Sequence, residues 1–201
     1  MKTSNLIVIS MLFILLLSIG CSDSKTTATA PSTAMVTISL DTIGEGSIIG
    51  TAVTLSLKGS EDYVVTKTLA DSTILFEDVP FGEYIVTATL SDCVTYVYEN
   101  LSVFEIAITH HVTMLPLATV RVIHNLINLQ QPALVGAQVT LTHTQNPNYE
   151  FSMVVEGDTG ALFTEIPFGE YNVYISRPNY QDFFHHNVKI IQREVTLLVN
   201  L

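Results

Sequence analysis

The chain has 201 residues, with 19 acidic against 8 basic side chains and a formal net charge of −11. The basic residues Lys58, Lys67, Arg121, Arg177, Lys189 and Arg193 are scattered, so no patch exists to neutralise phosphates, and nucleic-acid binding is excluded. The cysteines are Cys21 and Cys93, too few for a disulfide framework, so any fold must be held by apolar packing.

The chain opens with Lys2 and an apolar run from Leu6 to Ile19. That run is short of the roughly 20 residues a spanning helix needs. It closes on Leu17-Ser18-Ile19-Gly20-Cys21, and small residues before a cut are the mark of a secretory signal. This ending resembles the lipobox of bacterial lipoproteins, with Ser18 standing where Leu is usual. The resemblance implies that residues 1–20 are removed and that Cys21 becomes an acylated N-terminus. A membrane partner through a lipid anchor follows from it. Lipoproteins held at the inner membrane carry Asp after the Cys, so with Ser22 in that place the resemblance implies the bacterial outer membrane or cell surface. Residues 21–35 are then the lipidated Cys and a tether, since Ser22 to Ala34 is rich in Ser, Thr and Ala and has no apolar period.

Strand patterning dominates the rest. Val36 to Leu40, Val53 to Leu57, Tyr63 to Thr68, Tyr84 to Ala88 and Ile106 to Met114 alternate apolar and polar residues, with Thr, Val, Ile and Tyr abundant. The same order continues through Thr119 to His124, Ala137 to His143, Tyr149 to Val155, Ala161 to Glu165, Tyr171 to Ile175, Phe183 to Ile191 and Glu194 to Leu201. Short strands separated by turn signals predict an all-β sandwich.

The second half repeats the first. Val79-Pro80-Phe81-Gly82-Glu83-Tyr84 returns 87 residues later as Ile166-Pro167-Phe168-Gly169-Glu170-Tyr171. The register holds from Leu75/Leu162 to Met114/Leu201, and internal repetition of this kind decides architecture. We expect two tandem seven-stranded antiparallel β-sandwich modules, over 36–117 and 118–201. At each corner, Pro80 or Pro167 presets a type I turn. Gly82 or Gly169 is expected to take positive φ and close a hairpin.

Pro132-Ala-Leu-Val-Gly-Ala-Gln-Val-Thr-Leu141 resembles the opening of carboxypeptidase regulatory-like domains. Phe163-Thr-Glu-Ile-Pro-Phe-Gly-Glu-Tyr-Asn-Val173, followed by Pro178-Asn179-Tyr180, is similar to the middle of that family. The first module matches through Ile49 to Leu55 and Phe76 to Val86. Cys93 replaces the family's Gly-Tyr tyrosine there, and Asn179 replaces its glycine in the second module. The resemblance implies a transthyretin-like or Ig-like sandwich and implies no activity.

Catalytic and metal motifs are not evident, and no catalytic residue, metal or cofactor is expected. His110-His111 sit on one strand, where neighbours face opposite ways and cannot share a metal. His124 and His143 have core-facing parity on what the reading takes as adjacent strands. Asp41, Glu45, Asp71 and Asp92 are loop acids that calcium would need to find converging. Tyr98 and Phe184 are the candidate contact surface, and Pro80, Gly82, Pro167 and Gly169 the structural turns. The expected function is non-enzymatic: an anchored binding or structural module that is accessory to another surface or envelope protein. The alternative is a carbohydrate-binding or adhesive protein with a glycan ligand.

Overall fold

The computed structural model describes residues 32–124, 134–157 and 159–199. Cys21, the leader and all but the end of the tether lie outside the described residues. Fourteen strands and no helix occur among those described. The first seven are β1 (Thr33–Thr42), β2 (Ala52–Leu57), β3 (Val64–Thr68), β4 (Thr73–Pro80), β5 (Gly82–Thr89), β6 (Tyr96–Val103) and β7 (Ala107–Met114). The second seven are β8 (Leu117–His124), β9 (Gln138–His143), β10 (Glu150–Val154), β11 (Ala161–Pro167), β12 (Gly169–Ser176), β13 (Phe183–Ile190) and β14 (Glu194–Val199).

Each set makes one three-stranded and one four-stranded sheet. The orders are β4-β1-β7 and β3-β2-β5-β6 in the first module, and β11-β8-β14 and β10-β9-β12-β13 in the second. Alternation places the core between them. Tyr84, Val86 and Ala88 on β5 are fully buried, as is Tyr171 on β12, with Val173 and Ile175 almost so. Val36, Ile38 and Leu40 face them from β1. Two separate apolar cores result, one running from Ala34 to Met114 and one from Ala118 to Val199. Burying each such Val, Leu, Ile or Phe contributes about 1.5–3 kcal/mol, so these faces outweigh any surface interaction described below.

The expected all-β pair of seven-stranded modules is what the structure shows, with one departure from antiparallel pairing. β1 runs parallel to β7, from Met35↔Ala107 to Thr42↔Met114, and β8 runs parallel to β14. All other ladders are antiparallel. Parallel neighbours need a long crossover between them, and the five intervening strands supply it.

The Pro-Phe-Gly corner is not a hairpin. β4 pairs with β1, whereas β5 pairs with β2 and β6, so Phe81 carries the chain from one sheet to the other. Gly82 does not have positive φ; Gly169 does, at φ 159°, but at the extended margin and far from the left-handed region of a turn residue. The left-handed residues lie upstream, at Asp78 (φ 53°) and Glu165 (φ 59°). Each sits in a β-bulge, where β4 or β11 spends one residue more than its partner strand. The bulge supplies the twist that turns the chain, so no turn glycine is needed.

The glycines are required for space instead. A Cβ on Gly169 would run into the His143 ring, and one on Gly82 would meet the Leu57 side chain 2.7 Å away. Leu57 and His143 end the equivalent strands β2 and β9. Directly below each corner, the tyrosine of the repeated motif turns back on it. Tyr84 Oη donates to the Pro80 carbonyl at 2.8 Å, and Tyr171 Oη to the Pro167 carbonyl at the same distance.

Candidate functional site

The predicted contact residues Tyr98 and Phe184 occupy different places. Phe184 pairs with Tyr174, whose neighbours Val173 and Ile175 are buried, so Phe184 lies on the outer face of its sheet and is 58% exposed. Its ring centroid is 4.5 Å from that of Tyr174 and 5.9 Å from that of His186, the latter nearly parallel. Polar groups border this strip. Tyr174 Oη donates to Asp182 at 2.7 Å, and His186 Nδ1 lies 3.3 Å from Asn172 Oδ1. Hydrogen bonds from Tyr174 and then Ser176 hold the Asp182 carboxyl below its usual range. Phe184 was legible as a loop-following aromatic; Tyr174 was missed, because only the β12–β13 pairing brings it, with His186, beside Phe184.

Tyr98 pairs with Val86, a core residue, but stands on the open edge strand of its sheet and is 40% exposed. It lies over His110, with centroids 4.6 Å apart, and Tyr96 Oη is 3.0 Å from His110 Nε2. Burial, and then the neighbouring His111, push the His110 pKa down. Val97, not Tyr98, is the first module's counterpart of Phe184 in the repeat register.

His111 faces the other way, as strand alternation requires. Its Nδ1 is 3.0 Å from Ser39 Oγ and its Nε2 is 3.1 Å from Asp41 Oδ2. Ser39 and Asp41 project from one face of β1, and β7 brings His111 alongside them. Sequence reasoning could not see this trio, because the register of a parallel pair about 70 residues apart sets it. Ser39 lies mid-way along a central strand with partners on both sides, so its backbone amides are committed to ladders. The arrangement clamps β1 to β7, and its second-module equivalents on the paired β8 and β14 are the apolar Ile123 and Leu198.

His143 is structural as well. Its Nδ1 accepts the backbone N–H groups of Gln145 and Asn146, each at 3.1 Å, and its ring meets Tyr171 edge-on at 5.0 Å. Burial pushes its pKa down, against an opposing pull from Glu170. His124, 8% exposed, ends β8 in the opposite sheet from His143, so the two are not on adjacent strands as the sequence suggested. Of the acids expected in loops, Asp41 lies on β1 and is held by His111, and Asp92 lies 3.5 Å from Arg193. Among the described residues no three acidic, His or Cys side chains converge as a metal site.

The modules meet through a short stitched linker. Leu117 N–H donates to Asp92 O, Val94 N–H to Leu115 O, and Phe168 N–H to Pro116 O, each at 2.8 Å. Gly44, at φ 68°, lies so close to the Ile191 backbone that a Cβ there would clash, and Glu45 N–H donates to Ile191 O at 3.1 Å. A cleft of about 570 Å³ opens at this junction, lined by Ile43, Leu115, His143, Phe168 and Ile191.

No family model and no curated protein sequence matches the chain. Solved structures do resemble it. A candidate adhesin from Bacteroides ovatus is similar at 8% identity and a TM-score of 0.39, over 83% of this chain and 89% of that one. The Bacillus cereus major pilin subunit BcpA, as its D312A variant, is similar at 9% identity and a TM-score of 0.31, over 83% of this chain and 99% of that one. The Bacillus anthracis TIE protein is similar at 16% identity and a TM-score of 0.33; the match takes in 83% of this chain and only 34% of that one. The likeness is one of all-β fold.

Proposed function

We propose that this chain is a lipid-anchored, non-catalytic protein of the bacterial outer membrane or cell surface, whose two sandwiches present their outer faces to another envelope protein. The observation that carries this reading is the division of labour between what the repeat shares and what it varies. The shared residues are spent on the scaffold: the Tyr–Pro bond, the bulge at Asp78 or Glu165, and the glycine seat under the corner. The outer faces differ, with Ser39 and His111 in one module against Ile123 and Leu198 in the other, and Val97 against Phe184. A scaffold duplicated with altered faces is the expected form of a binding or structural module.

Anchoring rests on Leu17 to Cys21 and on the polar tether that follows. Incorporation of a clickable fatty acid tests it, with loss of label in Cys21→Ser the expected result. Unlabelled wild-type protein, or a mature N-terminus other than residue 21, rejects the anchor. Affinity capture of the mature protein from envelope extracts then identifies the partner.

The exposed Tyr174–Phe184–His186 strip, bordered by Asn172 and Asp182, supports a second reading as a glycan-binding protein. Aromatic faces beside hydrogen-bonding groups suit the apolar face of a sugar ring. A glycan-array signal that Phe184→Ala removes decides for this reading over the first.

A further inference from the structure

The two modules expose the same end to different surroundings. Phe168 is fully buried, with Pro116 bonded to its backbone and Leu115 and Ile43 alongside. Its counterpart Phe81 is only half-buried. Beside Phe81, the loop between β6 and β7 adds Phe104, 60% exposed, and Ile106, 63% exposed, with the Phe81 and Phe104 centroids 6.5 Å apart. Their second-module counterparts, Ile191 and Arg193, lie against Gly44, Glu45 and Asp92 of the first. One surface of the repeated unit is therefore a protein contact in the second copy and an uncovered apolar cluster in the first.

That cluster is where the chain arrives. Phe81 N–H donates to Ser32 O at 3.1 Å, and Met35 N–H donates to Ile106 O at 2.8 Å. From Ser32 the chain runs back 11 residues to Cys21, a reach of about 36 Å at full extension. An acyl anchor at Cys21 thus keeps Phe81, Phe104 and Ile106 within that distance of a lipid surface, and so at high effective concentration beside it.

We propose that Phe81, Phe104 and Ile106 form a lipid-contacting face that rests on the bilayer holding the anchor. This inference builds on the acylation of Cys21 proposed above. The matching surface is the boundary between headgroups and acyl chains, where apolar side chains bury and flanking polar groups stay wet. Glu105 sits between the two exposed apolar residues, and the protein is strongly acidic. The face therefore suits zwitterionic lipid and is repelled by anionic lipid. Alone it is too small for stable binding, and the tether makes it sufficient.

The chain has no tryptophan, so Phe104→Trp introduces a single fluorescent reporter at an exposed position. The full acylated chain carrying Phe104→Trp is reconstituted into phosphatidylcholine vesicles, some containing lipid brominated near the top of the acyl chains. Intact mass is measured first. A mass without acyl groups fails the anchor reading by itself. The docking face is then tested separately by coupling Cys21 to a maleimide lipid in a Cys93→Ser background. The expected result is a blue-shifted emission on reconstitution and quenching by brominated lipid several-fold above that of Tyr180→Trp, the control at the equivalent of Cys93 in the second module. Adding Ile106→Asp should return the emission to its aqueous value while the protein stays with the vesicles. The proposal is overturned if Phe104→Trp is quenched no more than Tyr180→Trp. It is equally overturned if the blue shift ignores brominated lipid and grows with protein concentration, the mark of a second copy covering the face.

Discussion

The phenol of Tyr171 reaches back four residues to donate its proton to the carbonyl oxygen of Pro167, at 2.8 Å and wholly inside the second core. Tyr84 and Pro80 repeat the bond in the first. Each bond pins the start of one sheet's strand to the end of the other sheet's, across the crossover.

Removing that hydroxyl leaves a proline carbonyl without its partner. Tyr171→Phe and Tyr84→Phe should each cost about 1–3 kcal/mol, read as a lower urea midpoint with an unchanged slope. The two phenols also resist ionisation. Burial, and then Tyr63, push the Tyr84 pKa from 10.0 up to about 12, and burial raises Tyr171 as well. A raised folded pKa contributes stability that is complete below the unfolded value near 10 and is lost as pH climbs through the folded one. Alkaline difference spectra should show these tyrosines titrating after the exposed ones, in step with loss of the fold.

The corner glycines are predicted to be unequal. Gly82→Ala meets only the end of the Leu57 side chain, which can rotate away, so its cost should stay under about 1 kcal/mol. Gly169→Ala meets a ring fixed by two backbone N–H bonds and by Tyr171, and should cost about 2–3 kcal/mol. Equal melting temperatures for the two variants would remove the close-approach explanation.

The bulges predict the opposite response to glycine. Glu165 holds φ 59°, a conformation that is strained for a side chain with Cβ. Glu165→Gly should be neutral or stabilising, because the relieved strain offsets the added flexibility of the unfolded chain. Glu165→Val should destabilise by at least about 1 kcal/mol. Thermal unfolding of the pair, relative to wild type, checks the sign of each.

His143 makes the fold sensitive to acid. Its folded pKa lies below the unfolded value of 6.5, so the unfolded chain takes up the proton first as pH falls. The contribution is complete above about 6.5 and declines below it. Protonation at Nδ1 would also cost the two backbone bonds that atom accepts. Melting temperature should drop between pH 7 and pH 5, and His143→Leu, which copies Leu57 of the first module, should flatten that slope.

Strand positions and the buried parity of Tyr84, Val86 and Ala88 were legible because alternation against a core is a local property. The parallel pairing of β1 with β7 was not, since Val, Ile and Thr announce a strand and not its neighbour. The Pro-Phe-Gly corner misled for a related reason. Pro and Gly together fit a hairpin, and only the assignment of β4 and β5 to different sheets shows a crossover. A glycine in a sequence also does not say whether it is there for its φ or for the room it leaves, and Gly169 is there for the room. Ser39, Asp41 and His111 became neighbours only through that unread register, and Tyr174, Phe184 and His186 through the β12–β13 pairing.

The parallel ladders have a mechanical consequence. Because β1 and β7 run side by side in one direction, as β8 and β14 do, each module takes in the chain at one end and pays it out at the other. A pull on those two ends drags the paired strands lengthwise past each other. All the rungs from Met35–Ala107 to Thr42–Met114 then bear the load together, whereas strands pulled from a shared end would peel one rung at a time. Tension along the chain therefore meets each module in shear, its most resistant direction.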